Sequence, residues 1–158
     1  MDAGRRRVLE SSAGVTVYAL AVAAGLIRPG KAQAQGWNKA AFESKSFADA
    51  ARNLGAQGPV ESPAVRFVNP TPDIAENGAV VPITVASTLP RTESIAILIA
   101  KNPNTLAANF RLAEGTDPFI STRVKMSETS DVFALVKADG KYYYARKEVR
   151  VTIGGCGA

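Results

Sequence analysis

The 158-residue chain has no histidine and a single cysteine. Without histidine there is no Ser-His-Asp triad, no Cys-His pair and no imidazole ligand for a metal. One cysteine excludes an internal disulfide and a thiolate-bound zinc or iron–sulfur centre. The sequence points to no cofactor and no metal. Aromatic residues are also sparse, at 7%. Hydrophobic residues make up 46% and charged residues 21%, which is ordinary for a folded chain and argues against wholesale disorder. The length suits one domain with small appendages. The lone thiol is Cys156, two residues before the C-terminal Ala158.

Residues 1–34 read as an export signal. Arg5-Arg6-Arg7-Val8-Leu9 has the twin-arginine pattern of two arginines, any residue and two apolar ones. Ser11 to Ile27 is a weakly apolar, Ala-rich run, marginal in length for a membrane span at 1.5 Å rise per residue. Ala32-Gln33-Ala34 is an A-x-A cleavage sequence, so the mature chain is expected to start at Gln35, in the periplasm. An uncleaved anchor is the alternative. The signal holds five of the 19 basic and two of the 14 acidic residues, which leaves 14 against 12, a net charge of +2. No block of five or six basic residues remains, so neither nucleic acid nor a membrane is an expected partner after cleavage.

Residues 35–58 read as a helical lead-in and linker. Phe47, Ala50, Ala51 and Leu54 share one helix face within the Trp37–Gly55 stretch. Ser46 and Asp49 suggest an acidic variant of a capping box, and Gly55 fits the C′ position.

Residues 59–153 read as strands and turns. Expected strands are 64–68, 79–87, 95–100, 109–113, 120–126, 132–136 and 143–153. Asn77-Gly78 and Asp139-Gly140 mark turns. Pro82 cannot donate a ladder hydrogen bond, which predicts an edge strand or a bulge there. Val132, Ala134 and Val136 alternate with Phe133 and Leu135, which suggests a strand covered on both faces. Lys147 interrupts the apolar face of the last strand, at a bulge or by carrying its ammonium outward. Seven short strands separated by turns predict a mainly β fold, an immunoglobulin-like antiparallel sandwich, with a small barrel as the alternative. Asp73, Glu76 and Asn77 are expected in a solvated turn. Arg123 and Lys125 are expected on a solvated or subunit-facing surface.

Residues 154–158 form the chemically distinctive part: Gly154-Gly155-Cys156-Gly157-Ala158. A structural cysteine packs among apolar side chains, and here only glycine and alanine surround it. The segment predicts a flexible arm that reaches about 17 Å when extended. Nothing nearby activates the thiol: the nearest cation in sequence is Arg150. The α-carboxylate opposes thiolate formation. An unperturbed thiol, pKa about 8.5, is only a few per cent thiolate at neutral pH. The residues alone leave three readings: a carrier loaded inside its partners, an intermolecular disulfide, or no role.

Several segments together resemble the SoxY family, the sulfur-carrier subunit of the Sox thiosulfate-oxidation system. They are the Gly154-Gly155-Cys156-Gly157 tail, with Ala158 where the family has Gly, the Pro72 to Val85 segment, and Lys101-Asn102-Pro103. Thr122-Arg123-Val124-Lys125-Met126 and Gly140-Lys141-Tyr142 leading into Val149-Arg150-Val151-Thr152 complete the match, along with the twin-arginine signal. The resemblance implies a carrier without catalytic activity of its own, with sulfur intermediates attached covalently to Cys156. It implies a heterodimer with a second small β-sandwich Sox subunit. The other implied partners are a haem-containing conjugating enzyme, a sulfate-releasing hydrolase and a sulfane dehydrogenase. Pro82 and the apolar surface around it are the expected subunit interface. The competing expectation is an exported immunoglobulin-like binding module whose terminal cysteine forms an intermolecular disulfide.

Overall fold

The computed structural model describes residues 37–153. The expected signal at 1–34 and the arm at 154–158 lie outside the described residues. All described residues except Trp37 belong to one compact unit that begins at Asn38.

The lead-in is two short helices rather than one, α1 (Lys39–Phe42) and α2 (Phe47–Asn53). Each has its own cap. The Asn38 side chain accepts from the Ala41 amide at 3.1 Å, and the Ser46 hydroxyl accepts from the Asp49 amide at 3.1 Å. The Ser46 hydroxyl also donates to the Asp49 carboxylate at 2.7 Å, a side-chain link in place of the bond from the cap's backbone amide that a capping box makes. Gly55 closes α2 at φ +92°. The Ala56 amide reaches the Ala51 carbonyl at 2.8 Å and the Gly55 amide the Arg52 carbonyl at 2.9 Å, the two bonds of a Schellman cap.

The strands are β1 (Val60–Glu61), β2 (Val65–Phe67), β3 (Ile74–Asn77), β4 (Val81–Ser87), β5 (Thr92–Ile99), β6 (Leu106–Arg111), β7 (Phe119–Val124), β8 (Ser130–Ala138) and β9 (Lys141–Ile153). They make two sheets, as a sandwich requires, so the barrel alternative is set aside. The larger runs β1-β9-β8-β5-β6, with β3 also paired to β9, and the smaller runs β2-β4-β7. Ile83 and Val85 from the small sheet meet Ile95, Ile97, Val132, Ala134, Val136 and Val149 from the large one. The opposite face of the large sheet, with Ala96, Leu98, Phe133 and Leu135, is covered by Ala41, Phe47, Ala50 and Ala51 of the helices. Strand β8 is thus covered on both sides, as its alternation suggests. The Phe47 ring stacks on Phe133 with centroids 4.4 Å apart. Asp139 and Gly140, at φ +50° and +70°, form the tight turn between β8 and β9.

Three expectations are corrected. Strand β4, which contains Pro82, is not an edge: it is the central strand of the small sheet. Its pairing with β2 ends at Val85, while β7 continues alongside as far as Val81. Thr84 turns its backbone amide and carbonyl toward the β2 side. The missing amide of Pro82, two residues away, faces that side too, where β2 no longer reaches. The proline is tolerated because the strand is one-sided at that point. Second, Asp73, Glu76 and Asn77 do not share a turn: Ile74–Asn77 is a strand that pairs in parallel with the end of β9. Third, β6 starts three residues earlier than expected, at Leu106. Lys147 causes no bulge, since the β8–β9 register is unbroken. Its ammonium is carried outward to the Thr71 carbonyl (3.2 Å) and Asp73 (2.9 Å).

Candidate functional site: the root of the C-terminal arm

The sequence-predicted site residues Gly154, Gly155, Cys156 and Gly157 lie outside the described residues. The structure does show what they grow from. β9 is 13 residues long, but β8 accompanies it only as far as Val149. Residues 150–153 run on beyond β8, and β3 takes over as their neighbour. Ile74 pairs with Arg150, Ala75 with Val151 and Asn77 with Ile153.

This clamp is built mainly from backbone groups. The Arg150 amide donates to the Asp73 carbonyl at 2.9 Å, and the Gly78 amide donates to the Ile153 carbonyl at 2.7 Å. The Thr152 hydroxyl donates to the Glu76 carbonyl at 2.8 Å. On the opposite edge the Val151 amide donates to the Thr129 hydroxyl at 2.9 Å. The clamp continues inward, where the Gly78 carbonyl accepts from the Met126 amide at 2.7 Å. Met126 is fully buried and so ties the row Ile153–Gly78–Met126 to the core. Asn102 fixes the far end of that row. Its side-chain amide donates to the Lys125 carbonyl at 2.7 Å, and its side-chain oxygen accepts from the Ser127 amide at 3.0 Å.

The β7 exit, the β3–β4 turn and the end of β9 therefore meet at one end of the sandwich. Sequence reasoning marked these segments by resemblance and missed their geometry. Ile74-Ala75-Glu76-Asn77 gave no strand signal, because a clamp held by backbone groups asks little of side-chain alternation.

Charge at this end is mostly paired. Lys147 meets Asp73 at 2.9 Å and holds its carboxyl below the usual carboxylate range, first through their hydrogen bond and then through charge attraction. Lys101 meets Glu128 (4.0 Å), Arg146 meets Asp131 (3.2 Å) and Arg150 meets Glu148 (3.6 Å). Arg123 and Lys125 are exposed and make no ion pair among the described residues. Ile153, Ile74 and Val80 are exposed at 63%, 55% and 56%, so apolar surface lies open around the root.

The other cavities lie elsewhere. A cavity of about 780 Å³ is lined by the 87–93 and 112–118 loops and by Asp139. Asp139 precedes the start of β9, so the length of that strand, roughly 40 Å at ~3.3 Å per residue, separates this cavity from the arm root. Among the described residues no three metal-ligating side chains gather.

The structure is thus a two-sheet sandwich whose last strand is clamped at its end, and in the sequence a glycine-flanked cysteine follows that strand. The sequence matches the family described as Sulfur oxidation protein SoxY over residues 51–156. The chain belongs to the SoxY family. It is also similar to the solved structure of the sulfur carrier protein SoxY from Chlorobium limicola f thiosulfatophilum. Identity is 38% and the TM-score 0.58, over 65% of this chain and 92% of that one. A superoxide reductase (neelaredoxin) from Ignicoccus hospitalis aligns at 11% identity and a TM-score of 0.48, over 56% of this chain and 80% of that one. No curated protein matches the chain.

Proposed function

We propose that this protein is a covalent carrier of sulfur intermediates in periplasmic thiosulfate oxidation, with the thiol of Cys156 as the attachment site. One observation carries the reading: the family match runs to Cys156, the chain's only thiol, set among glycines directly after the clamped Ile153. The clamp supports it physically. A carrier needs a fixed pivot and a free tip, and glycines without side chains give the tip conformational freedom and a slim profile.

The chemistry belongs to partners. A haem-containing enzyme joins the Cys156 sulfur to the outer sulfur of thiosulfate, releasing one proton and passing two electrons, one at a time, through its haem to an electron acceptor. A hydrolase adds water, frees sulfate and leaves a persulfide. A sulfane dehydrogenase removes six electrons as three water oxygens are added to the terminal sulfur. A final hydrolysis restores the thiol and releases a second sulfate. This chain supplies the leaving and returning sulfur and is itself no catalyst. It works as a heterodimer with a second small β-sandwich subunit, and the pair is exported folded by the twin-arginine route.

Intact-mass measurement of the exported protein during growth on thiosulfate is the test. Sulfur adducts that map to Cys156 and are lost on reduction are expected. Cys156→Ser is expected to abolish thiosulfate oxidation while the melting temperature stays unchanged. A thiol that is always free, or found only in an intermolecular disulfide, returns the protein to the binding-module reading.

A further inference from the structure

At the arm root every acidic side chain but one has a cationic partner. Asp73 is paired with Lys147, Glu128 with Lys101, Asp131 with Arg146 and Glu148 with Arg150. The exception is Glu76, on β3. Against that single negative charge stand Arg123 and Lys125, both exposed and neither in an ion pair among the described residues. They lie two apart on the β7 edge of the small sheet and its exit, where Arg123 pairs with Pro82. Alternation puts both on the outer side, opposite buried Val124 and Met126.

Their distance from the thiol follows from the clamp. Ile153 is one hydrogen bond from Gly78, and Gly78 is one from Met126, the residue after Lys125. Two such steps, at roughly 4.8 Å each, place the Met126 backbone about 10 Å from that of Ile153. Cys156 is three residues beyond Ile153 in the sequence, which at full extension spans at most about 10 Å. The lysine stem is four carbons long and flexible, so its ammonium can swing toward that range.

We infer that Arg123 and Lys125 form a cationic face beside the arm root that favours anionic over neutral reagents at Cys156, its occupant being the 154–158 arm with its anionic cargo. The inference rests on Cys156 being the attachment site. The Glu76 carboxylate repels an incoming anion, and the cationic face offsets that repulsion, so a thiosulfate dianion approaches more readily. Arg123 and Lys125 are positioning residues that act through the field and not by contact with a reacting atom.

The test compares alkylation of Cys156 in the mature chain by iodoacetate, an anion, and by iodoacetamide, which is neutral. In both, the thiolate forms the new S–C bond and iodide leaves, so the rate ratio cancels the thiol's pKa and accessibility. At low salt each unit of charge about 10 Å away alters an anion's encounter rate by roughly 1.6-fold. Arg123→Glu with Lys125→Glu changes four units and is expected to lower the iodoacetate/iodoacetamide ratio by about sevenfold. High salt should erase the difference. Arg123→Gln with Lys125→Gln, the milder pair, should lower the ratio by about half that factor on a logarithmic scale. Lys39→Glu with Arg52→Glu, on the helices, changes net charge equally and should leave the ratio unmoved. A ratio unchanged in both Arg123/Lys125 pairs, or an equal drop in the helix pair, overturns the inference. If the ratio stays constant while Cys156 still collects sulfur adducts, the cationic face falls and the carrier stands. If the ratio drops but no adduct forms in the cell, the carrier reading falls and the electrostatic effect remains.

Discussion

The two ends of β9 differ in what holds them. Its first nine residues, Lys141 to Val149, lie beside β8 in unbroken register. There the outer face carries Tyr142 and Tyr144 under the helices, and the Tyr142 hydroxyl donates to the Leu54 carbonyl at 2.7 Å. Its last four residues lie beside β3, with Arg150 and Thr152 exposed. One end is held by side-chain packing in two layers. The other is held by backbone hydrogen bonds and a few polar side chains. Packing sets global stability in proportion to buried apolar surface. Hydrogen bonds at an exposed edge add little to it but fix local position and set local opening. The division is what the proposed carrier role calls for: a packed body, and a strand end held in position where the proposed attachment segment begins.

The largest effect should come from the packed end. Leu135, 1% exposed, faces the helices from β8. Leu135→Ala removes its side chain from a closed layer and is expected to cost about 3 kcal/mol. Urea unfolding followed by circular dichroism would measure this. The Cys156 alkylation rate should stay as it is while the protein is folded. A change in that rate comparable to the loss of stability would join the two ends and break the comparison.

Thr152→Val should do the reverse. It removes the hydroxyl that donates to the Glu76 carbonyl and leaves the shape almost unchanged. The expected loss of global stability is at most about 1 kcal/mol, because the freed carbonyl lies at an exposed edge. Amide exchange of Gly78, whose N–H holds the Ile153 carbonyl, should quicken severalfold, while amides in β5 and β8 keep their protection. Uniform exchange across the chain would show that the clamp opens only with the whole fold.

The packed end was also the legible end. Alternation of Val132, Phe133, Ala134, Leu135 and Val136 announced a strand buried on both faces, and the structure fills both. Ser46, Asp49 and Gly55 announced the second helix and its caps through local chemistry. The clamp was not legible. Its partners, Thr152 and Glu76, lie 76 residues apart, and the bonds run to backbone groups that every residue owns. Ile74 is 55% exposed, so β3 carries no apolar alternation to betray it. Pro82 misled for a related reason: a missing amide identifies a one-sided position, and only topology shows whether the whole strand is an edge. Cys156 stood out by composition, since a thiol among glycines needs no contact map. The surface that surrounds its root did, because the pairing of Lys101, Lys147 and Arg150, which leaves Arg123 and Lys125 over, depends on the fold.

Acid gives the finest distinction between the ends. Both carry carboxylates held below their ordinary range. At the arm root Asp73 is lowered by Lys147, through a hydrogen bond and then through charge. At the hairpin end, Glu93 is lowered first by Lys137 and then by the Gly140 amide, and Asp139 is lowered by Arg91. A carboxylate whose folded pKa is depressed contributes stability above its unfolded pKa, about 4, and loses it as pH falls through the folded value. Both ends should therefore hold at neutral pH and loosen below about pH 4. All three groups are exposed, so the change in overall stability should be small and weakened by salt. The readout that separates the ends is local. Asp73→Asn removes the charge that Lys147 meets, and its chief effect should be faster exchange at the Arg150 amide, which donates to the Asp73 backbone carbonyl. At pH 7 the hairpin amide of Gly140 should keep its protection, and in the wild type the Arg150 amide should lose protection, measured against the intrinsic exchange rate at each pH, as pH falls through the lowered pKa of Asp73. If Asp73→Asn leaves Arg150 exchange at its wild-type value, the Lys147 link contributes nothing to the clamp, and the backbone bonds alone hold the end of β9.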